Sequence, residues 1–128
     1  MAISTGKTRE ERIKTEFNRL KRLLKNLSKD QLSAADGLIR RIAFMAITLE
    51  DLEADINCYG EVESFSQGDA TYDRQRPAVT IYNATIKNYT TACKQVMELV
   101  PASAPKTNEA DPFMKIMGRK STPVRKHG

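Results

Sequence analysis

The chain has 128 residues, which suits one domain, and 40% of them are hydrophobic with no Trp. A modest, mainly aliphatic core favours oligomerisation, because a partner then buries what one copy cannot. The formal net charge of +5 favours an anionic partner, nucleic acid before a membrane surface. No run of 18 apolar residues occurs, so we expect no membrane-spanning helix, and the polar N-terminal residues predict no signal peptide.

Charge is distributed in three blocks along the chain. Residues 7–29 carry nine Lys or Arg against three Asp or Glu, residues 30–100 carry six against eleven, and residues 101–128 carry six against two. This pattern is typical of basic arms around an acidic body. It predicts a basic, DNA-binding helical segment over 1–29, a helical-hairpin oligomerisation core over 30–100 and a flexible basic tail over 101–128. A solvated helix face and a plain disordered tail are the alternatives for the two arms.

The first predicted helix covers residues 8–27. Thr8 and Glu11 have capping-box spacing, and apolar residues then recur every three or four positions. They form one narrow stripe of Ile13, Phe17, Leu20, Leu24 and Leu27. The other faces carry the cations that we predict to contact DNA phosphates. These are Lys7, Arg9, Arg12, Lys14, Arg19, Lys21, Arg22 and Lys25.

A second helix is predicted over residues 30–58. Ser28 and Gln31 repeat the capping spacing, and Gly60 suits the end of the helix. The apolar stripe between them is wide and requires burial on more than one side. Arg40 and Arg41 on this helix are second-rank candidates for DNA contact. Residues 60–76 contain Gly, Ser and Asp, and they predict a loop or a short irregular hairpin.

A third helix is predicted over residues 77–100. Pro77 suits its first turn, and Pro101 ends it. Apolar residues from Val79 to Val100 match a heptad seam over about three heptads. Helices two and three are therefore predicted to form a long antiparallel hairpin, and the predicted fold class is all-α.

Patterns for catalysis or metal binding do not emerge from the sequence. Gly6-Lys7-Thr8 resembles the end of a phosphate-binding loop, but the preceding glycine and strand are missing. The single His is His127, so no internal His serves a metal site or a catalytic triad. Cys58 and Cys93 are interpreted as small core residues in a reducing compartment. We therefore expect no enzymatic activity, no cofactor and no metal.

The predicted tail is rich in Pro, Ser, Thr, Lys and Arg, a composition typical of disorder. One apolar cluster interrupts it, and such a cluster is typical of a docking segment. Its members are Phe113, Met114, Ile116 and Met117. The neighbouring cations Lys115, Arg119 and Lys120 have an alternative use, which is additional affinity for DNA.

Several segments from Leu38 to Pro101, about half of the chain, occur in a familiar order. Arg-Ile-Ala-Phe-Met-Ala-Ile-Thr-Leu-Glu-Asp-Leu-Glu-Ala-Asp-Ile at 41–56 is followed by Gly60, and then by Arg76-Pro77, Tyr82-Asn83, Ile86-Lys87-Asn88-Tyr89 and Leu99-Val100-Pro101. Together they resemble the small terminase subunits of tailed bacteriophages, of the P27-type family. The chain departs from that family in the loop, with Gln67-Gly68 in place of an Asn-Gly and Tyr72-Asp73 where a second Gly is expected.

The resemblance implies a non-enzymatic protein of the host bacterial cytoplasm that forms a closed homo-oligomeric ring. Such a ring binds double-stranded viral DNA at the packaging site and presents it to the large terminase subunit, which supplies the ATPase and nuclease. Helices two and three are then expected at the subunit interfaces. The apolar cluster of the tail becomes the expected docking segment for the large subunit. Two alternatives are a small helical DNA-binding regulator without a packaging motor partner and a structural coiled-coil adaptor.

Overall fold

The computed structural model describes residues 6–100, Ile116 and Gly118. The described chain is mostly helical and also contains one small antiparallel sheet. The prediction of a helical fold is confirmed, but it did not include the sheet. In chain order the elements are α1 (Arg9–Leu23), α2 (Lys29–Tyr59), β1 (Val62–Gln67), β2 (Ala70–Gln75) and α3 (Pro77–Met97). The disorder predicted for the tail falls, apart from Ile116 and Gly118, on residues outside the described ones.

The first two helices begin at the capping boxes that the sequence predicts. Thr8 Oγ1 accepts the backbone N–H of Glu11 at 3.2 Å, and the Glu11 carboxylate accepts the backbone N–H of Thr8 at 2.9 Å. Ser28 and Gln31 make the same reciprocal pair, both bonds at 3.0 Å. Each such cap stabilises its helix by about 1 kcal/mol. At the other end of α2, Gly60 has a φ of +83°, which favours glycine.

The break between α1 and α2 comes earlier than predicted. α1 ends at Leu23, and a turn then carries Leu24 and Leu27 into the core, where both are buried. Their spacing continues the apolar stripe of α1, which is why periodicity alone extended the predicted helix to residue 27. The turn is therefore anchored to the body by two leucines.

The three helices run alternately up, down and up. Arg9 at the start of α1 donates to Asp51 in the second half of α2, at 2.6 Å, so these two helices are antiparallel. The Gln31 side chain at the start of α2 donates to the Leu99 carbonyl at 3.4 Å, just beyond the end of α3. α2 and α3 therefore form the antiparallel hairpin that the sequence predicts.

The core lies along α2, which contacts both other helices. Each fully buried aliphatic side chain stabilises the fold by about 1.5–3 kcal/mol through removal of apolar surface from water. The fully buried members include Leu20, Leu24, Ile39, Ile42, Ala43, Cys93, Val96 and Ile116. α1 and α3 thus satisfy, within one chain, the two-sided burial that the wide stripe of α2 requires. The seam of α3 is used in the same way, because Val79 and Tyr89 are buried as well.

Residues 62–75 form a regular β-hairpin rather than an irregular one. The two strands pair in register over six residues, from Val62 opposite Gln75 to Gln67 opposite Ala70. The two-residue turn places Gly68 at a φ of +63°, and Asp69 has a negative φ, which is the type II′ pattern. Glycine adopts this first position without steric cost. The hairpin projects from the helical body, and most of its residues are exposed.

The two cysteines occupy different environments. Cys93 is fully buried between the helices, as predicted. Cys58 is exposed in the last turn of α2, so its prediction as a core residue is wrong. The reason is positional, because Cys58 lies in the last turn of α2, two turns or more beyond Leu49, which is the last buried residue of that helix.

Candidate nucleic-acid interface

Two of the predicted DNA contacts, at the start of α1, are engaged by acidic residues of α2. Arg9 donates to Asp51 at 2.6 Å and to the Thr48 hydroxyl at 2.5 Å. Arg12 donates to Asp51 at 2.7 Å and to Glu50 at 3.0 Å. Burial disfavours the charge of Arg12, but the hydrogen bonds that Arg12 donates to both carboxylates outweigh this effect and raise the pKa of the guanidinium. These arginines hold α1 on α2.

A third predicted contact, Arg19, is engaged by a buried carboxylate. Glu16 is 3% exposed and accepts both Arg19 Nε at 2.8 Å and Arg19 Nη2 at 2.9 Å. That bidentate hydrogen bond raises the pKa of Arg19, and burial opposes the rise. Arg19 Nη2 also donates to the carbonyl of Ile116 at 3.2 Å. Arg19 therefore joins α1 to the single buried residue of the tail that the structure describes.

Two titratable groups of α3 lie beside the Glu16–Arg19 pair. Burial, as the main cause, raises the pKa of the Cys93 thiol to about 11. Burial also raises the pKa of the Tyr89 hydroxyl, and Cys93 and Glu16 raise it further. Both groups are consequently neutral near pH 7, and a protonated thiol is a poor nucleophile. Their environment is that of a packed core.

The other predicted cations of the segment are exposed. Lys14, Lys21 and Arg22 lie on the outer face of α1, and Lys25 follows in the turn. None of these four makes an ion pair with any of residues 6–100, Ile116 or Gly118. Lys7 precedes the helix, and its Nζ donates to the Thr15 hydroxyl at 3.0 Å. A row of open cations on one helix face is the arrangement that phosphate contact requires.

An arginine of α2 extends this row. The ring of Phe17 lies beneath two cations, with Lys21 Nζ 5.1 Å and Arg40 Cζ 4.6 Å from its centroid. Arg40 pairs with Asp36 at 2.7 Å, yet 61% of its side chain is exposed. Arg41 donates to the Gly37 carbonyl one helical turn before it, at 3.1 Å. From the sequence, Arg40 ranks second because its helix is mostly core-facing. No linear pattern shows that Arg40 becomes a neighbour of Phe17.

Only one residue of the predicted large-subunit docking cluster is described. Ile116 is fully buried in the same core as Leu20 and Val96. Phe113, Met114 and Met117 lie outside the described residues. In this arrangement Ile116 contacts its own helical body rather than the surroundings.

Comparison of the chain with protein-family models, curated proteins and solved structures finds no match. Over the described residues, no helix combines the length and apolarity that crossing a bilayer demands. The same residues contain no group of three or more His, Cys, Asp or Glu suited to holding a metal ion.

Proposed function

We propose that the protein is a small terminase subunit of a tailed bacteriophage, which binds double-stranded viral DNA and presents it to the large subunit. The observation that carries the DNA-binding part is the open row of Lys14, Lys21, Arg22 and Lys25, continued on α2 by Arg40. The sequence resemblance carries the packaging part. The expected assembly is a closed homo-oligomeric ring.

The physical basis of binding is counterion release from DNA. Each phosphate that a cation neutralises lowers the slope of log affinity against log salt by about 0.9. The four open cations of the segment give each subunit a small set of weak contacts. In a ring the same row recurs on every subunit, so weak contacts add through avidity. The engaged arginines Arg9, Arg12 and Arg19 contribute to the fold instead.

A charge reversal that spares the engaged arginines tests this proposal. Lys21→Glu with Lys25→Glu should weaken DNA binding about tenfold or more at moderate salt. The number of phosphate contacts, obtained from the slope of log affinity against log salt, should fall by about 2. The matched control is Lys120→Glu with Lys126→Glu, which changes the same residue type and the same net charge in the basic tail. Binding is measured by fluorescence anisotropy on a duplex over a series of salt concentrations. Loss in the tail variant alone would assign binding to the tail and reject the α1 proposal.

A second candidate function is a small DNA-binding regulator without a packaging motor partner. One observation favours it, since the apolar seam of α3 is buried within one chain and is not left open for a neighbour. Light scattering separates the two functions, because only the packaging ring requires a large closed assembly. A monomer or dimer that binds DNA and ignores the large subunit would establish the regulator.

A further inference from the structure

The β-hairpin is the part of the structure with the least protein packed on it. Among the described residues its two strands pair only with each other. Tyr59 beside the hairpin and Val62 and Tyr72 within it are 68%, 57% and 47% exposed. One of its faces carries Phe65 and Tyr72, whose rings meet edge to face with centroids 5.6 Å apart. An isolated two-stranded hairpin is marginally stable in water. A hairpin with so much exposed surface is therefore suited to being covered by a partner.

Charge selects the partner of this hairpin. Both nearby arginines are engaged by acids of the same chain, Arg74 by Glu63 at 2.7 Å and Arg76 by Asp55 at 2.9 Å. The exposed acids that remain, Glu61, Asp69 and Asp73, make no ion pair within the described part of the chain. An acidic hairpin is repelled by DNA and by anionic lipid. The complementary partner is a basic protein surface.

The outer face of α3 has the properties that this hairpin requires. Within Pro77–Met97 the only charged residues are Lys87 and Lys94, and both are exposed. Ile81 lies at the opposite edge of this exposed face, about 120–140° around the helix from the two lysines, and is 52% exposed. The rest of that face is small or uncharged: Thr80, Ala84, Asn88, Thr91 and Gln95. Small residues allow a flat ribbon to approach the helix closely.

The two surfaces also match in length. Six residues of a strand extend about 20 Å. The face of α3 from Ile81 to Lys94 extends about 20 Å along the helix axis. A hairpin placed along α3 of another copy, with the face that carries Val62 and Asp73 turned towards the helix, would set Asp69 and Asp73 near the two lysines.

We propose that the β-hairpin of one copy docks on the outer face of α3 of the next copy. The two surfaces differ, so the contact is head-to-tail and generates a ring when the rotation closes. This inference rests on the assembly stated in the proposed function and names the surfaces that make it. The subunit contact is then made by the hairpin and by the outer face of α3. The apolar seams of α2 and α3 do not make it, because they are buried within each chain.

Paired charge reversals test the contact. The hairpin variant is Asp69→Lys with Asp73→Lys, and the helix variant is Lys87→Glu with Lys94→Glu. Each alone should shift the protein from assembly to monomer, because like charges then face each other across the contact. An equimolar mixture of the two variants should assemble again, since each supplies the surface that complements the other. Native mass spectrometry without DNA reads the result, and alternating mixed oligomers are the expected signature.

The control is the DNA-binding variant Lys21→Glu with Lys25→Glu, which should keep its assembly. Three outcomes would overturn the inference: a monomeric parent at micromolar concentration, a mixture that stays monomeric, and a hairpin variant that assembles normally but no longer binds the large subunit. The last outcome would identify the large subunit as the partner that covers the β-hairpin. DNA binding is scored separately by the salt titration, so failure of the contact and failure of the DNA proposal are distinguishable.

Discussion

The cations of α1 divide into two groups that have the same charge but different surroundings. Arg9, Arg12 and Arg19 each pair with a carboxylate of the chain, and one of those carboxylates is buried. The open group is on the other side and makes no ion pair in the described chain: Lys14, Lys21 and Arg22, with Lys25 in the turn that follows. The division follows position on the helix, because Arg9, Arg12 and Arg19 lie within reach of carboxylates, whereas Arg22 on the outer face makes no ion pair in the described chain. Counting cations therefore overstates a DNA surface when arginines meet acids.

The largest effect that tests this division is expected at Arg19. Arg19→Ala should lower the free energy of unfolding by about 3–5 kcal/mol, because it leaves Glu16 buried without its bidentate partner. Chemical denaturation measures the loss. Replacing both residues, Glu16→Gln with Arg19→Met, is the matched control and should recover much of the stability. If Arg19→Ala instead weakened DNA binding at unchanged stability, Arg19 would belong with the open cations.

A smaller effect is expected at Arg12. Arg12→Ala should cost about 1–2 kcal/mol, since the side chains of Arg12 and Glu50 are 29% and 11% exposed and solvent partly screens the pair. Lys14→Ala, two positions further along the helix, should change stability by less than about 0.5 kcal/mol. Thermal unfolding compares the two variants. Equal losses would remove the distinction between engaged and open cations.

The smallest effect near neutral pH is expected from the thiol beside the Glu16–Arg19 pair. Burial raises the pKa of Cys93 from 9.0 to about 11, so the unfolded chain loses this proton first. The contribution of the protonated Cys93 thiol to the free energy of unfolding is complete below pH 9 and is lost as the pH rises to about 11. Tyr89 changes stability with pH in the same direction, because its pKa is also raised. Chemical denaturation below pH 9 and above pH 11 should show that the free energy of unfolding falls across this range. In the Cys93→Ala variant the free energy of unfolding should fall less steeply with pH.

Local patterns predicted most of the helical structure. The reciprocal caps at Thr8 and Ser28 depend on residues three positions apart, and the seam of α3 depends on neighbouring turns, so both are visible in the sequence. The hairpin was underestimated because Gln67-Gly68 is a weaker turn signal than Asn-Gly, and because β1 and β2 lack a continuous apolar alternation.

Long-range pairing could not be predicted. Arg9 meets Asp51 across 42 positions, and Arg19 meets the carbonyl of Ile116 across 97. Both contacts depend on the relative position of two elements along their axes. That position is determined by how their side chains pack. The position of Phe17 beside Lys21 and Arg40 has the same origin. The sequence therefore identified the basic helix, but it did not show which of its cations pair with carboxylates and which stay open.

The attachment of α1 at both ends has a consequence for association kinetics. Arg9 and Arg12 hold its first turn on α2, and the buried side chains of Leu24 and Leu27 hold the turn that follows it. Its lysine row is thus preorganised, and binding requires no ordering of the backbone. An encounter with a polyanion then proceeds as a rigid-body step, with a rate set by diffusion and electrostatic steering. The spacing between the backbone positions that carry these charges stays constant from one encounter to the next.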